Sequence, residues 1–478
     1  MTVYQDPEAF CAPLAGAPAP APALRVGLIG LGHVGLGTYR VLQRNQAAIA
    51  ARAGRPVVIT QVAVRRRERA APLLAPEVRL VEVADLLRDP DIDVVVEAVG
   101  GTTLARDWVL QAIAQGKSVV TANKALLALH GDEIFAAAAA RGVSVAFEGA
   151  VAVSIPIIKA LRESLSANRI DWLAGIINGT SNFILSEMRD TGQDFDAVLR
   201  EAQRLGYAEA DPAFDVDGID AAHKLSLLSA LAFGTPLQFE QVAVQGIRDL
   251  QAQDVRQAEA LGYRIKLLGV AQSLGPEANA PLSLRVQPVL LPRRHPLASV
   301  EGALNGILVH GDASGVVAYG GAGAGGEPTG AAVIADLVDL ARQPPGPAAG
   351  LRVPHLAFHP AALRPRPVQA LSASVAACYL RWPVQSAQAG LRLLSERLAA
   401  HGVPVRRLQP QAAAASWSGG QATPESASAW VLLGGPAPES VWQALTAELA
   451  ASPWSAAPPV RLRIETLGLA GHDDGLSA

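Results

Sequence analysis

Leu24-Arg-Val-Gly-Leu-Ile-Gly30-Leu-Gly32-His-Val-Gly35 is the stretch that decides the fold. A short apolar run enters three spaced glycines, and Leu36 to Ala50 beyond them has helical character. Strand, glycine turn and helix in that order make a dinucleotide site. The glycines allow the tight turn and let a pyrophosphate approach the helix N-terminus. A glycine triplet alone says little, but here the strand before it and the helix after it are both present. Gly30, Gly32, His33, Val34 and Gly35 are the first expected cofactor contacts.

The pattern continues outward. A second strand, 57–64, ends in Arg65-Arg66-Arg67. An NAD-preferring site usually places an acid there for the ribose hydroxyls, whereas arginine suits a 2′-phosphate. Arg65 and Arg66 therefore point to NADP(H) over NAD(H), although a plain basic turn would look the same in sequence. Next come Asp93-Val-Val-Val-Glu-Ala-Val-Gly100-Gly101, a helix, Ser118-Val-Val-Thr121-Ala-Asn123-Lys124, another helix, and a strand at 143–147. Strands alternating with helices at this spacing give an α/β fold, a Rossmann-type doubly wound parallel sheet over 24–150. Ligands in such sheets bind beyond the carboxyl ends of the strands. Gly100, Gly101, Thr121, Asn123 and Lys124 are expected there.

Residues 151–342 read as an α+β substrate and dimerisation domain. It opens with a helix at 157–164, a strand at 169–177, and Asn178-Gly-Thr-Ser-Asn182, a turn suited to start a helix or hold an anion. Then comes an acidic turn, 202–224, with Glu209, Asp211, Asp215, Asp217 and Asp220, closed by Lys224. Gly206, Pro212 and Gly218 break it into a helix end, a loop and a new helix. Asp220 and Lys224 stand four apart and share a face. On the surface such a pair is worth little. Here Leu-Ser-Leu-Leu-Ser-Ala-Leu-Ala-Phe follows, apolar nearly all round, so the pair should sit at the mouth of a buried helix, where charge is costly unless used. A helix near 253–268, strands near 283–291 and 315–319, and a helix at 330–342 returning to the nucleotide domain complete this part.

Residues 1–23, ending Ala-Pro-Ala-Pro-Ala-Pro-Ala, read as a leader, and 343–371 as a linker. The tail, 372–470, has the βαββαβ order of a ferredoxin-like module. At 478 residues, half of them apolar and with a formal charge of -3, the chain has ample core and no polyanion-binding character. It has no apolar run long enough to span a bilayer, so no membrane partner and no nucleic acid are expected. Two cysteines make no disulfide framework, and Met-Thr-Val-Tyr-Gln-Asp-Pro-Glu is no signal peptide, so a cytoplasmic location is expected.

Ala202-x3-Gly206-Tyr-Ala-x2-Asp211-Pro-x2-Asp215-Val-x-Gly218-x-Asp220-x3-Lys224 resembles the signature of homoserine dehydrogenase at every defined position. The glycine turn, Thr121-Ala-Asn-Lys124, Asn178-Gly-Thr-Ser-Asn182 and Gly323-Ala-Gly325 are similar to that family in order and identity, across about 24–342. The resemblance implies reduction of L-aspartate 4-semialdehyde to L-homoserine with NAD(P)H, in threonine and methionine biosynthesis. By the same resemblance Lys224 and Lys124 act at the reacting carbonyl and Asp220 orients Lys224. Glu209 holds the substrate's ammonium and Asp215 is placed with the substrate. Gly206 and Gly325 touch the cofactor. The carbonyls of Glu148, Val151, Val153 and Ile155 correspond to a Na+ or K+ loop, although Val153 and Ser154 stand where the family usually carries glycines. The tail resembles ACT modules that bind amino-acid effectors, but Val384-Gln385-Ser386 lacks the acid and proline common before Gly390. A homodimer or homotetramer is implied.

Two rivals remain at this level. A phosphate-forming aldehyde dehydrogenase needs a cysteine nucleophile in the catalytic domain, and neither Cys11 nor Cys378 lies there. A catalytically impaired homologue serving as an effector-binding protein would fit the altered loop, but Lys124, Glu209, Asp220 and Lys224 are all retained.

Overall fold

The computed structural model describes residues 21–343, 353–411 and 428–467. Most of the expected leader, with Cys11, and residues 344–352 of the expected linker lie outside them. The strands β1 (Leu24–Ile29), β2 (Val57–Ala63), β3 (Arg79–Val81), β4 (Val94–Glu97), β5 (Ser118–Thr121) and β6 (Val145–Ala146) form one sheet in the order β3-β2-β1-β4-β5-β6. Every pairing in it is parallel. β4, and β1 apart from the exposed Arg25, are buried on both faces, which a sheet covered on both sides by helices requires.

The second sheet joins β7 (Ile170–Ile176), β8 (Ala243–Val244), β9 (Tyr263–Ser273), β10 (Leu282–Pro292), β11 (Leu304–Gly311), β12 (Gly315–Ala322), β13 (Val375–Pro383), β14 (Val405–Gln411), β15 (Ala429–Pro438) and β16 (Val460–Ile464). Its order is β12-β11-β7-β9-β10-β16-β13-β15-β14, with β8 on β10. The expected helix near 253–268 is a helix only over Ala252–Ala260. Gly262 turns at φ 83°, and Tyr263 onward is strand. Buried on both faces, β9 shows no alternation to distinguish it from a helix. β11 was not anticipated for a similar reason: Gly306 and Gly311 dilute its strand character.

In the tail, the order β16-β13-β15-β14 with every pairing antiparallel is the ferredoxin-like arrangement. This module is not suspended from the rest. β16 pairs in parallel with β10, Val289 opposite Arg463 and Leu290 opposite Ile464, so one sheet crosses both parts. Buried ion pairs reinforce the seam: Arg285 with Glu465, and Arg381 Nε with Asp254 at 2.6 Å.

The helix Gly326–Arg342 runs back across the helix His33–Arg44 that follows the glycine turn. They cross backbone to backbone. A Cβ on Gly330 would lie 2.5 Å from Thr38 N, and one on Gly37 would overlap Gly326 O. Arg44 Nη2 binds Glu327 at 2.8 Å beside the crossing.

Candidate active site

Gly218, at φ 84°, turns the acidic loop into the helix Ile219–Phe233, and every residue from Asp220 to Phe233 is buried. Asp220 and Lys224 lie one turn apart at its start, with Lys224 Nζ 2.7 Å from Asp220 Oδ2. The other Asp220 oxygen is 3.1 Å from Lys124 Nζ, which arrives from the C-terminal end of β5 in the other domain. Asn178 joins them. Its Oδ1 caps the helix Gly179–Thr191 by accepting from Ser181 N at 2.7 Å. Its Nδ2 donates to Asp220 Oδ2 at 2.8 Å and Asp215 Oδ1 at 2.7 Å. Lys224 Nζ also donates to Ile177 O at 2.7 Å.

Burial alone would raise the Asp220 carboxyl, but the two lysines outweigh it and hold Asp220 below the usual carboxylate range. Burial lowers the Lys224 ammonium, against the pull of Asp220 and with the push of Lys124. Burial raises Asp215, so the second acid at the site is the more readily protonated. His223, the residue before Lys224, is lowered to about 4 by burial. Its ring packs between Phe214 and Phe239 at 5.3 and 4.4 Å, its Nδ1 has no hydrogen-bond partner, and Phe214 in turn lies under Lys124 Nζ at 5.6 Å.

The dinucleotide side is a cleft of about 850 Å³ lined by Gly30, Gly32, Arg65, Arg66, Val99 and Trp108. Gly30 has φ 95°, and a Cβ on Gly35 would run into Gly30 O, whereas one on Gly32 would meet nothing. That open space above Gly32 is what a pyrophosphate needs. His33 is exposed, Val34 half-buried and Gly35 buried. Arg65 and Arg66 are exposed at the cleft, while Arg67 turns to Glu82 at 2.6 Å.

Glu97 ties the next two turns together. Its buried carboxylate accepts from Val99 N and Gly100 N at 2.8 and 3.0 Å and from Thr121 Oγ1 at 2.6 Å. Asn123 caps the helix Lys124–Arg141 and donates to Gly101 O at 2.7 Å, so Gly100, Gly101, Thr121, Asn123 and Lys124 form one edge. Gly325, at φ 134°, starts the returning helix, and its neighbour Gly326 abuts His33 O at the glycine turn. Gly206 caps the helix Phe195–Leu205. Glu209 is exposed on the following turn, and among the described contacts none joins its carboxylate to the lysine cluster.

The loop 148–156 keeps the backbone that glycines would favour. Ala152 and Val153 have φ of 52° and 45°. Left-handed valine is strained, at about 1–3 kcal/mol per such residue. Ser154 Oγ anchors the loop to Ala322 O at 2.8 Å. The buried Glu148 side chain accepts from Ile158 N and Lys159 N at 3.0 and 2.9 Å, and burial raises it to about 7. The Ile155 carbonyl takes Ile157 N at 2.7 Å. Among the described residues no group of His, Cys, Asp and Glu forms a metal cluster.

Asn178 as a bridge, Glu97 as a brace and the Phe214–His223–Phe239 wall were not read from sequence. An acid ending an apolar strand was the available signal for Glu97. The amide of a capping asparagine carried none.

The family model described as homoserine dehydrogenase matches residues 156–338, and the one described as homoserine dehydrogenase, NAD binding domain, matches 30–148. A homoserine dehydrogenase of Pseudomonas aeruginosa is 51% identical over 390 residues, 82% of this chain and 88% of the relative. One of Neisseria gonorrhoeae is 47% identical over 80% of this chain and 87% of its own. The crystal structure of a homoserine dehydrogenase from Thiobacillus denitrificans superposes with a TM-score of 0.84 at 49% identity, covering 93% of this chain and 98% of its own. A hyperthermophilic archaeal homoserine dehydrogenase in complex with NADPH matches 66% of this chain and 97% of its own, at a TM-score of 0.56 and 25% identity. With the glycine cleft on one side and the paired lysines on the other, this chain belongs to the homoserine dehydrogenase family of oxidoreductases.

Proposed function

We propose that the chain catalyses the reversible reduction of L-aspartate 4-semialdehyde to L-homoserine, with NADPH preferred over NADH. One observation carries this: a single buried carboxylate, Asp220, holds Lys124 and Lys224 from two domains at 3.1 and 2.7 Å. A bound nicotinamide supplies the hydride. Its arrival at the aldehyde carbon leaves negative charge on oxygen, which an ammonium stabilises and protonates. Lys224 has three N–H groups, two of them given to Ile177 O and Asp220, so one remains for that oxygen. Its lowered proton affinity, from burial and from Lys124, favours giving the proton up. Lys124, less buried, faces the substrate with Asp215 nearby, and Glu209 on the exposed turn after Gly206 pairs with the substrate's ammonium.

Arg65 and Arg66 hold the 2′-phosphate of NADPH. The Glu148, Val151, Val153 and Ile155 carbonyls hold Na+ or K+, and Gly206 and Gly325 close on the cofactor. The chain acts in cytoplasmic threonine and methionine biosynthesis as a homodimer or homotetramer, supported by the edge that β12 leaves at the end of the large sheet. An amino-acid effector binds the ACT-like tail.

The test is NADPH oxidation by L-aspartate 4-semialdehyde. Lys224→Ala should cut kcat by about 10²–10⁴ while sparing NADPH binding. Near-normal turnover in that variant would refute the role of Lys224, and no turnover by the unaltered chain, with nucleotide bound, would refute the enzyme reading.

A further inference from the structure

Residues 353–369, expected to be linker, lie bound across both domains and beyond both family-model matches. The two helices that deliver the lysines meet beneath this segment. Lys124 heads the helix Lys124–Arg141, and Asp220 and Lys224 head Ile219–Phe233. The middle of the first touches the chain just beyond the second: Leu237 N donates to Asp132 Oδ1 at 3.2 Å.

At its first end the segment grips the nucleotide domain. His355 Nε2 accepts from Val145 N in β6 at 3.1 Å, and its ring stacks on Phe135 with centroids 5.5 Å apart. A few residues on it grips the end of the second helix. The Phe358 ring sits against Gly234 so closely that a Cβ there would be 2.9 Å away, and Arg364 N donates to Gly234 O at 3.1 Å. The Arg366 guanidinium lies over the Phe233 ring at 5.6 Å and donates to Ala280 O at 2.8 Å. Leu282 N to Pro367 O and Gln369 N to Leu282 O, both 2.8 Å, then fix the segment to β10.

We infer that residues 353–369 are a strap that sets the angle between the two domains and so holds Lys124 against Asp220, with His355 and Phe358 as its positioning residues. The inference rests on the lysine roles proposed above. Phe135 lies eleven residues from Lys124 along one helix, about 16 Å at the α-helical rise. Tilting that lever by about 5° moves the lysine by about 1.4 Å. A displacement of about 1 Å at a reacting centre is enough to cost about a hundredfold in rate. The glycine turn follows β1, three strands along the parallel sheet from the β6 that the strap grips, and none of the strap bonds given above reaches it.

The experiment compares His355→Ala, Phe358→Ala and the double variant with the milder His355→Gln and Phe358→Leu, in the full chain. In the double variant kcat should fall about tenfold or more, while the Kd for NADPH stays within about twofold. Glutamine, whose carbonyl can still accept from Val145 N, should recover most of the loss at 355. Amide exchange in the first turn of Lys124–Arg141 should quicken in the alanine variants. A folded double variant with kcat within about twofold of the unaltered chain overturns the strap, as does a glutamine variant no better than alanine. If the alanine variants do not fold, Phe358→Leu decides by the same kcat reading. Should the unaltered chain itself not turn over, the proposed function fails, and amide exchange still tests the strap.

Discussion

Asp220 is the residue on which the site depends, because two ammonium groups from different domains share its one charge. Its pairing with Lys224 was legible in the i, i+4 spacing, and Lys124 in its position at a strand end. The Asn178 bridge was not. An asparagine that caps a helix satisfies the sequence pattern with one oxygen, and only the fold brings two carboxylates to its amide. At the cofactor cleft, Arg66→Asp should shift the NADPH/NADH ratio of kcat/KM toward NADH by about tenfold or more, since one charge-assisted contact is exchanged for repulsion. An unchanged ratio would remove the phosphate clamp. His223 makes a pH prediction. The folded ring resists protonation down to about 4, while the unfolded ring takes a proton from about 6.5. The His223 contribution to stability should therefore fall as pH drops between those values, by up to about 3 kcal/mol. His223→Phe, which keeps a ring between Phe214 and Phe239, should flatten that part of the urea-stability profile. His295, also lowered by burial, acts in the same direction, and Glu148, raised to about 7, acts against it and is unchanged in the variant.

Among the elements, the loop 148–156 is where local preference and structure disagree. Valine at φ 45° is strained, and the loop is held by the Ser154 bond to Ala322 O rather than by its own preference. Val153→Gly should raise unfolding free energy by about 0.5–1 kcal/mol, the relieved strain less the entropy glycine adds to the unfolded chain. Urea titration measures it, and a destabilised variant would show that the valine side chain contributes packing that outweighs its backbone. The helix–glycine crossing is the opposite case. Gly37 and Gly330 were ordinary helix glycines in sequence, and become necessary only where two backbones touch.

For the whole molecule, the decisive fact is that β16 lies between β10 and β13. A tail joined through one sheet is not an independent lobe. Glu465→Leu would leave Arg285 buried without its partner, at a cost of about 3–5 kcal/mol. Because the seam is continuous, calorimetry should show the catalytic part and the tail shifting down together in one transition. A separate, unshifted transition for residues 21–343 would mean that the seam carries no coupling.

The alternation of strands and helices in the nucleotide domain apart from β3 and its flanking short helices, the buried helix behind Lys224 and the βαββαβ tail were determined by the sequence. They follow from local periodicity, glycine turns and apolar runs, which are properties of neighbours along the chain. Tertiary structure alone decided that β9 is a strand, that the tail extends the catalytic sheet, that a stretch expected as linker binds both domains, and that Lys124 and Lys224 meet at one carboxylate. Each of these depends on residues far apart in sequence, where burial and charge pairing outweigh local preference.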